Sequence, residues 1–117
     1  MQLNEMEFQS ATPIDGYGPG FFRVGGQVLE GPIVVTETGA KSWGGLMDEA
    51  MLVELTDVVD VIFIGTGAQI APLPEGLRET LEGHGLGVEI MASGAACRTY
   101  NVLLSEGRRV AAALIPV

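Results

Sequence analysis

The chain has 117 residues, 47% of them hydrophobic, with one cysteine, one histidine and a formal net charge of -9. That length fits a single domain with one core, residues 1–117. The charge repels phosphate and anionic headgroups, which argues against nucleic acid and membrane surfaces as direct partners, and no apolar run approaches the ~20 residues that a membrane-spanning helix needs.

The acidity is unevenly spread: residues 1–60 hold ten Asp/Glu against two Lys/Arg, and residues 61–117 hold five against four. A protein partner with a basic surface suits that field, although Asp48, Glu49, Glu54, Asp57 and Asp60 equally read as a solvated face. The apolar fraction leaves room for a docking patch or a homo-oligomer. A leader needs a basic region before an apolar segment, whereas the N-terminus carries Glu5 and Glu7, so the expected compartment is the cytoplasm. The lone thiol, Cys97, agrees with a reducing environment. Structural zinc wants four Cys/His ligands, so Cys97 and His84 do not suggest a metal site.

In chain order, Phe21–Val24 and Gln27–Glu30 flank Gly25-Gly26, a pair able to take the positive φ of a primed two-residue turn, which predicts an antiparallel hairpin. Gly31-Pro32 breaks the second strand, Ile33–Thr36 resumes extended structure, and residues 37–42 read as a loop leading to Trp43. Leu46, Met47, Ala50, Met51 and Leu55 fall on one helical face and predict a short helix over 46–56. Residues 58–64 are β-branched or aromatic except for Asp60, the composition of a strand covered on both faces, and they end at Gly65-Thr66-Gly67.

Pro74-Glu75 opens a helix that turns Leu77 and Leu81 to the core and closes at Gly83 and Gly85. Gly87–Met91 reads as a strand. Ser93 is a good N-cap for a helix burying Ala96, Tyr100, Leu103 and Leu104. Gly107 stands where a C-terminal glycine belongs, Arg108 and Arg109 lie near the negative end of the dipole, and Val110–Ile115 is the last strand. A hairpin and strands followed by β-α-β-α-β predict an α/β sandwich with an antiparallel β addition. They also bring the glycine turn and the arginine-bearing helix into one neighbourhood.

Gly65-Thr66-Gly67 after a strand invites a dinucleotide reading, but Ile70 stands where the third glycine belongs, Pro72 and Pro74 delay the helix, and Glu89 lies inside its strand. No cofactor is expected. The turn still marks the strand end at which open α/β sheets place ligand crevices, so Gly65, Thr66 and Gly67 are candidate binding residues. Arg98 and Asn101, three apart, can share a helix face and bind an anion or a backbone segment, with Tyr100 toward the core; an exposed arginine and a locally bonded asparagine are the plainer alternative. Cys97 in the first turns of that helix, beside Arg98, has surroundings that favour a thiolate, yet cysteine is also among the most often buried residues. His84 fits an exposed helix-terminal turn. No P-loop, nucleophile elbow, H-E-x-x-H or C-x-x-C is present, so no catalytic residue is assigned.

Four segments resemble a known family: Ile64-Gly65-Thr66-Gly67, Gly85-Leu86-Gly87-Val88-Glu89-Ile90-Met91, Ala96-Cys97-Arg98-Thr99-Tyr100-Asn101, and Glu106-Gly107-Arg108-Arg109 running on through Pro116. They are similar to the Mth-like domain of unknown function, a family that includes the mitochondrial NADH dehydrogenase (complex I) assembly factor 3 proteins and the adipogenesis-associated Mth-domain proteins. Gly20 to Val24 and Trp43 also fit. The resemblance implies a three-layer α/β fold with a mixed, mostly parallel central sheet and an N-terminal β-hairpin addition. For the mitochondrial branch it implies help in assembling a respiratory complex through protein contacts. The expected function is therefore a non-catalytic binding or assembly module presenting the glycine turn and the Arg98/Asn101 face. The alternative is a small-molecule site or weak enzyme in the same crevice.

Overall fold

The computed structural model describes residues 11–117, so the expectation resting on Glu5 and Glu7 lies outside the described residues. The chain runs β1 (Ile14–Gly18), β2 (Phe21–Val24), β3 (Gln27–Glu30), β4 (Ile33–Thr36), β5 (Gly39–Ser42), α1 (Glu49–Val53), β6 (Val61–Thr66), α2 (Leu77–Gly83), β7 (Gly87–Met91), α3 (Ser93–Ser105) and β8 (Val110–Ile115). Five strands form the central sheet in the order β5-β4-β8-β6-β7, and β1-β2-β3 form a separate antiparallel sheet.

The strands β8, β6 and β7 pair in parallel, because α2 and α3 supply the crossovers that parallel neighbours require. β4 lies antiparallel to both β8 and β5, so two of the four pairings are parallel and two antiparallel. Alternation along the strands builds two cores. Ile62, Ile64, Ala111 and Ala113 face α1 and α2 with Leu52, Leu77 and Leu81. Phe63, Ala112 and Leu114 face α3 and the outer sheet with Ile14, Phe22, Ala96 and Tyr100. These are the three expected layers, with the small sheet lying beside α3.

Gly25 and Gly26 both have positive φ, and β2 and β3 pair across them in the predicted hairpin. β1 extends that hairpin to three strands, and β5 pairs with β4 where a loop is expected. The helix expected over 46–56 is confined to α1: Met47 is exposed, and Leu52 and Leu55 carry the burial. α2 and α3 end in the same way. The N–H of Gly85 donates to the Glu82 carbonyl and that of Leu86 to Leu81, while Gly107 and Arg108 repeat the pattern on Leu104 and Leu103. Both are Schellman ends built on a left-handed glycine.

Candidate functional site

The parallel strands end together at Thr66, Met91 and Ile115, and α3 starts directly above them. Gly65 makes that seat possible. A Cβ at Gly65 would stand 2.7 Å from the Cα of Ser93 and 3.0 Å from Leu114 Cδ2, so only glycine lets the helix rest on the strand. Ser93 is the first residue of α3 and not its cap, because its hydroxyl is engaged elsewhere. It accepts from the Gly67 N–H at 2.8 Å and donates to the Ile115 carbonyl at 2.5 Å. The Ser93 N–H in turn donates to the Gly67 carbonyl at 2.8 Å. One serine therefore ties the ends of β6 and β8 to α3.

The glycine turn is held by its own atoms. Thr66 Oγ1 donates to the Gln69 carbonyl at 3.0 Å and accepts from the Ala71 N–H at 2.9 Å. Gly65 and Gly67 are buried and Thr66 half-buried. The crevice expected between this turn and α3 is filled by Ser93. An open groove of about 430 Å³ lies farther along the loop, lined by Ile70, Ala71, Pro72, Arg78, Glu89 and Ile90. A second cleft of about 390 Å³ lies between the β4–β5 hairpin and α1, against Val34, Lys41, Met51 and Leu55.

Arg98 is exposed as expected, but Asn101 does not share its surface. Asn101 is fully buried, donating from Nδ2 to the Ile14 carbonyl at 2.8 Å and accepting the Ile14 N–H on Oδ1 at 2.9 Å. Its short amide mimics a neighbouring strand, which is why it faces β1 and not solvent. Tyr100 assists from the preceding position, its hydroxyl donating to the Thr12 carbonyl at 3.2 Å. Near the start of α3, Gly94 leaves space that the Tyr17 hydroxyl occupies, with Arg98 Nη1 alongside. Cys97 is fully buried, and desolvation pushes its thiol up to about 12 against the opposing pull of the Arg98 guanidinium. Burial therefore keeps the thiol protonated at neutral pH. His84 caps the exposed end of α2.

What local pattern did not announce is the character of the whole strand end. The segments gathered there (16–22, 42–47, 64–74, 90–97 and 113–117) carry no charged side chain, in a chain with fifteen acidic and six basic side chains. Met47 is 85% exposed and Ile70 65%. Glu30, Asp48 and Arg98 stand at the margin, whereas Glu37, Asp57, Asp60, Glu106, Arg108 and Arg109 lie toward the opposite end of the sheet. The signal was available as uncharged stretches, but only the topology shows that they converge. Among the described residues no helix is long and apolar enough to cross a membrane.

A three-layer α/β domain with an adherent antiparallel sheet and an uncharged strand end is the class these features define. The protein family described as "Protein of unknown function (DUF498/DUF598)" matches residues 14–115, and the chain belongs to it. It is 50% identical to an uncharacterized protein of Rhodobacter capsulatus over 117 residues, which span 100% of this chain and 94% of that one. It is 32% identical over 123 residues to the NADH dehydrogenase (ubiquinone) 1 alpha subcomplex assembly factor 3 of Danio rerio, covering 99% of this chain and 71% of the relative. The solution structure of a Bordetella pertussis protein described as a Mth938-like domain superposes with a TM-score of 0.78 at 26% identity, covering 99% of this chain and 92% of that one. The Mth-like resemblance carried by the four motifs is thereby borne out, in sequence and in fold.

Proposed function

We propose that this chain is a non-catalytic binding module that helps a multisubunit complex to assemble, and that it meets its partner with the uncharged end of the central sheet. The observation that carries this reading is the convergence of segments free of charged side chains around exposed Met47 and Ile70. Interface cores are depleted in charge and enriched in methionine, and contiguous exposed apolar patches mark contact surfaces. In this reading Gly65, Thr66 and Gly67 shape the loop that presents Ile70, Arg98 is a polar contact at the rim, and Asn101 holds α3 to β1 beneath it. The buried Cys97 thiol supports binding over chemistry. Similarity to an assembly factor over nearly the whole chain supports a respiratory or other membrane complex as the object of assembly.

Site-specific photo-crosslinking in the native cell tests this directly, with the crosslinker placed at Met47, at Ile70 and, as a control on the opposite end, at Glu106. Met47 and Ile70 are expected to capture the same protein, a subunit of one complex, and Glu106 to capture it rarely or not at all. Equal capture from all three positions would remove the reading. Met47→Asp with Ile70→Asp is expected to abolish the crosslinked complex while changing folding stability by no more than about 0.5 kcal/mol, since both side chains are exposed.

A further inference from the structure

Strand β7 closes one side of the central sheet, and among the described residues only β6 pairs with it. The Gly87 N–H donates to the Asp60 carbonyl, and the Ser93 N–H beyond the strand donates to Gly67, so the odd-numbered residues turn their peptide groups toward β6. Val88 and Ile90 therefore turn theirs to the open side. Arg78 reaches from α2 and donates to the Val88 carbonyl at 2.9 Å, which guards one end of this edge. Among the described residues no side chain guards the N–H and C=O of Ile90 in this way. Beside them runs the groove of about 430 Å³ walled by Ile70, Ala71 and Pro72. The edge at β5 is four residues long and carries exposed Lys41, two of the usual protections against strand addition, whereas β7 is five residues long with exposed Glu89 as its charge.

We infer that the free edge of β7 receives an extended segment of another protein as a sixth strand, one that alternates aliphatic and basic side chains. The alternation follows from the two faces of β7. Val88 and Ile90 point to the α2 face, where Ile70 and Pro72 border the groove, so the added side chains on that face are aliphatic. Glu89 points to the opposite face and is exposed, so the added side chains that flank it on that face are basic. A second copy of this chain is the poorer occupant. Two-fold antiparallel pairing centred on Glu89 sets that carboxylate opposite its own image, and each copy carries a net charge of -9.

The probe is a random-sequence peptide display library selected on the full chain. Recovered peptides are expected to alternate Val, Ile or Leu with Lys or Arg, and to slow hydrogen exchange at the Ile90 amide when bound. Ile90→Pro removes the outward N–H without touching the ladder to β6, a position at which an edge strand tolerates proline. Peptide affinity is expected to fall about tenfold or more on Ile90→Pro and to stay within about twofold on Ile90→Val, as loss of a main-chain hydrogen bond dictates. If Ile90→Pro fails to fold, exchange protection at Ile90 in the wild-type complex decides alone. No enrichment, peptides without the alternation, or an Ile90 amide that exchanges equally fast with peptide bound would each overturn the inference. Self-association of the wild type that Ile90→Pro abolishes would place a second copy on the edge and overturn it too. The selection uses no assembly partner, so its outcome and that of the crosslinks are separable.

Discussion

Asn101 forms both halves of a strand-like hydrogen-bond pair with Ile14, a residue 87 positions upstream, in a site with no exposure. Alanine in its place leaves a buried N–H and a buried C=O on Ile14 unpaired, each worth about 1–3 kcal/mol when stranded. Asn101→Ala is expected to lower unfolding free energy by about 2–4 kcal/mol in urea denaturation, and a loss below about 1 kcal/mol would contradict the role assigned to the amide. Asn101→Asp is no rescue, because a carboxylate accepts the Ile14 N–H but offers nothing to its carbonyl and brings charge into the core. Helical spacing correctly relates Arg98 to Asn101 along the chain, but it contains nothing about β1, whose arrival buries one of them and leaves the other in solvent. The same distinction separates the two readings of Cys97. Helix position and Arg98 favour a thiolate, and complete burial outweighs both.

At the level of elements, strands with a strong composition are legible and strands assigned by pairing are not. β6 and β8 are mostly runs of Val, Ile, Phe, Leu and Ala, β7 sets Val88 and Ile90 about Glu89, and the parallel order of the three follows from the helices between them. β1 (Ile14-Asp15-Gly16-Tyr17-Gly18) and β5 (Gly39-Ala40-Lys41-Ser42) are poor in β-formers and are strands because β2 and β4 offer them a ladder. Ser93 shows the complementary case: a residue suited to capping is drawn to the ends of β6 and β8, and α3 begins without a side-chain cap. The seat of α3 on β6 is then a test of the arrangement. A Cβ at Gly65 meets backbone, the Cα of Ser93 at 2.7 Å, so it cannot be accommodated by turning a side chain. Gly65→Ala is expected to cost about 1–3 kcal/mol, with amide chemical-shift changes concentrated at Gly67, Ser93 and Ile115. A variant as stable as the wild type, with shifts confined to residue 65, would show that the helix does not rest there.

For the whole molecule, the two cores differ in what they bury. The one shared by α1, α2 and the sheet is aliphatic apart from Trp43, whereas the one shared by α3 and the outer sheet contains two weak acids, Cys97 and Tyr100. Burial raises both, the thiol to about 12, and Glu37 adds to the effect at Tyr100. The neutral forms belong to the folded state. Their contribution is complete below the unfolded thiol value of about 8.5, because neither state has then released a proton. Above it the unfolded chain loses protons that the folded chain keeps, so stability falls as pH rises toward the folded value, by at most about 1.4 kcal/mol per pH unit for each group. Urea midpoints are therefore expected to decline between about pH 8.5 and pH 11, and Cys97→Ala, lower at pH 7 through lost packing, to decline less steeply over the same interval. Parallel curves for the two proteins would mean that the thiol reaches solvent without unfolding, and α3 would then have to be a movable lid on the outer sheet and not the fixed bridge between the two sheets that Asn101 and Ser93 make it.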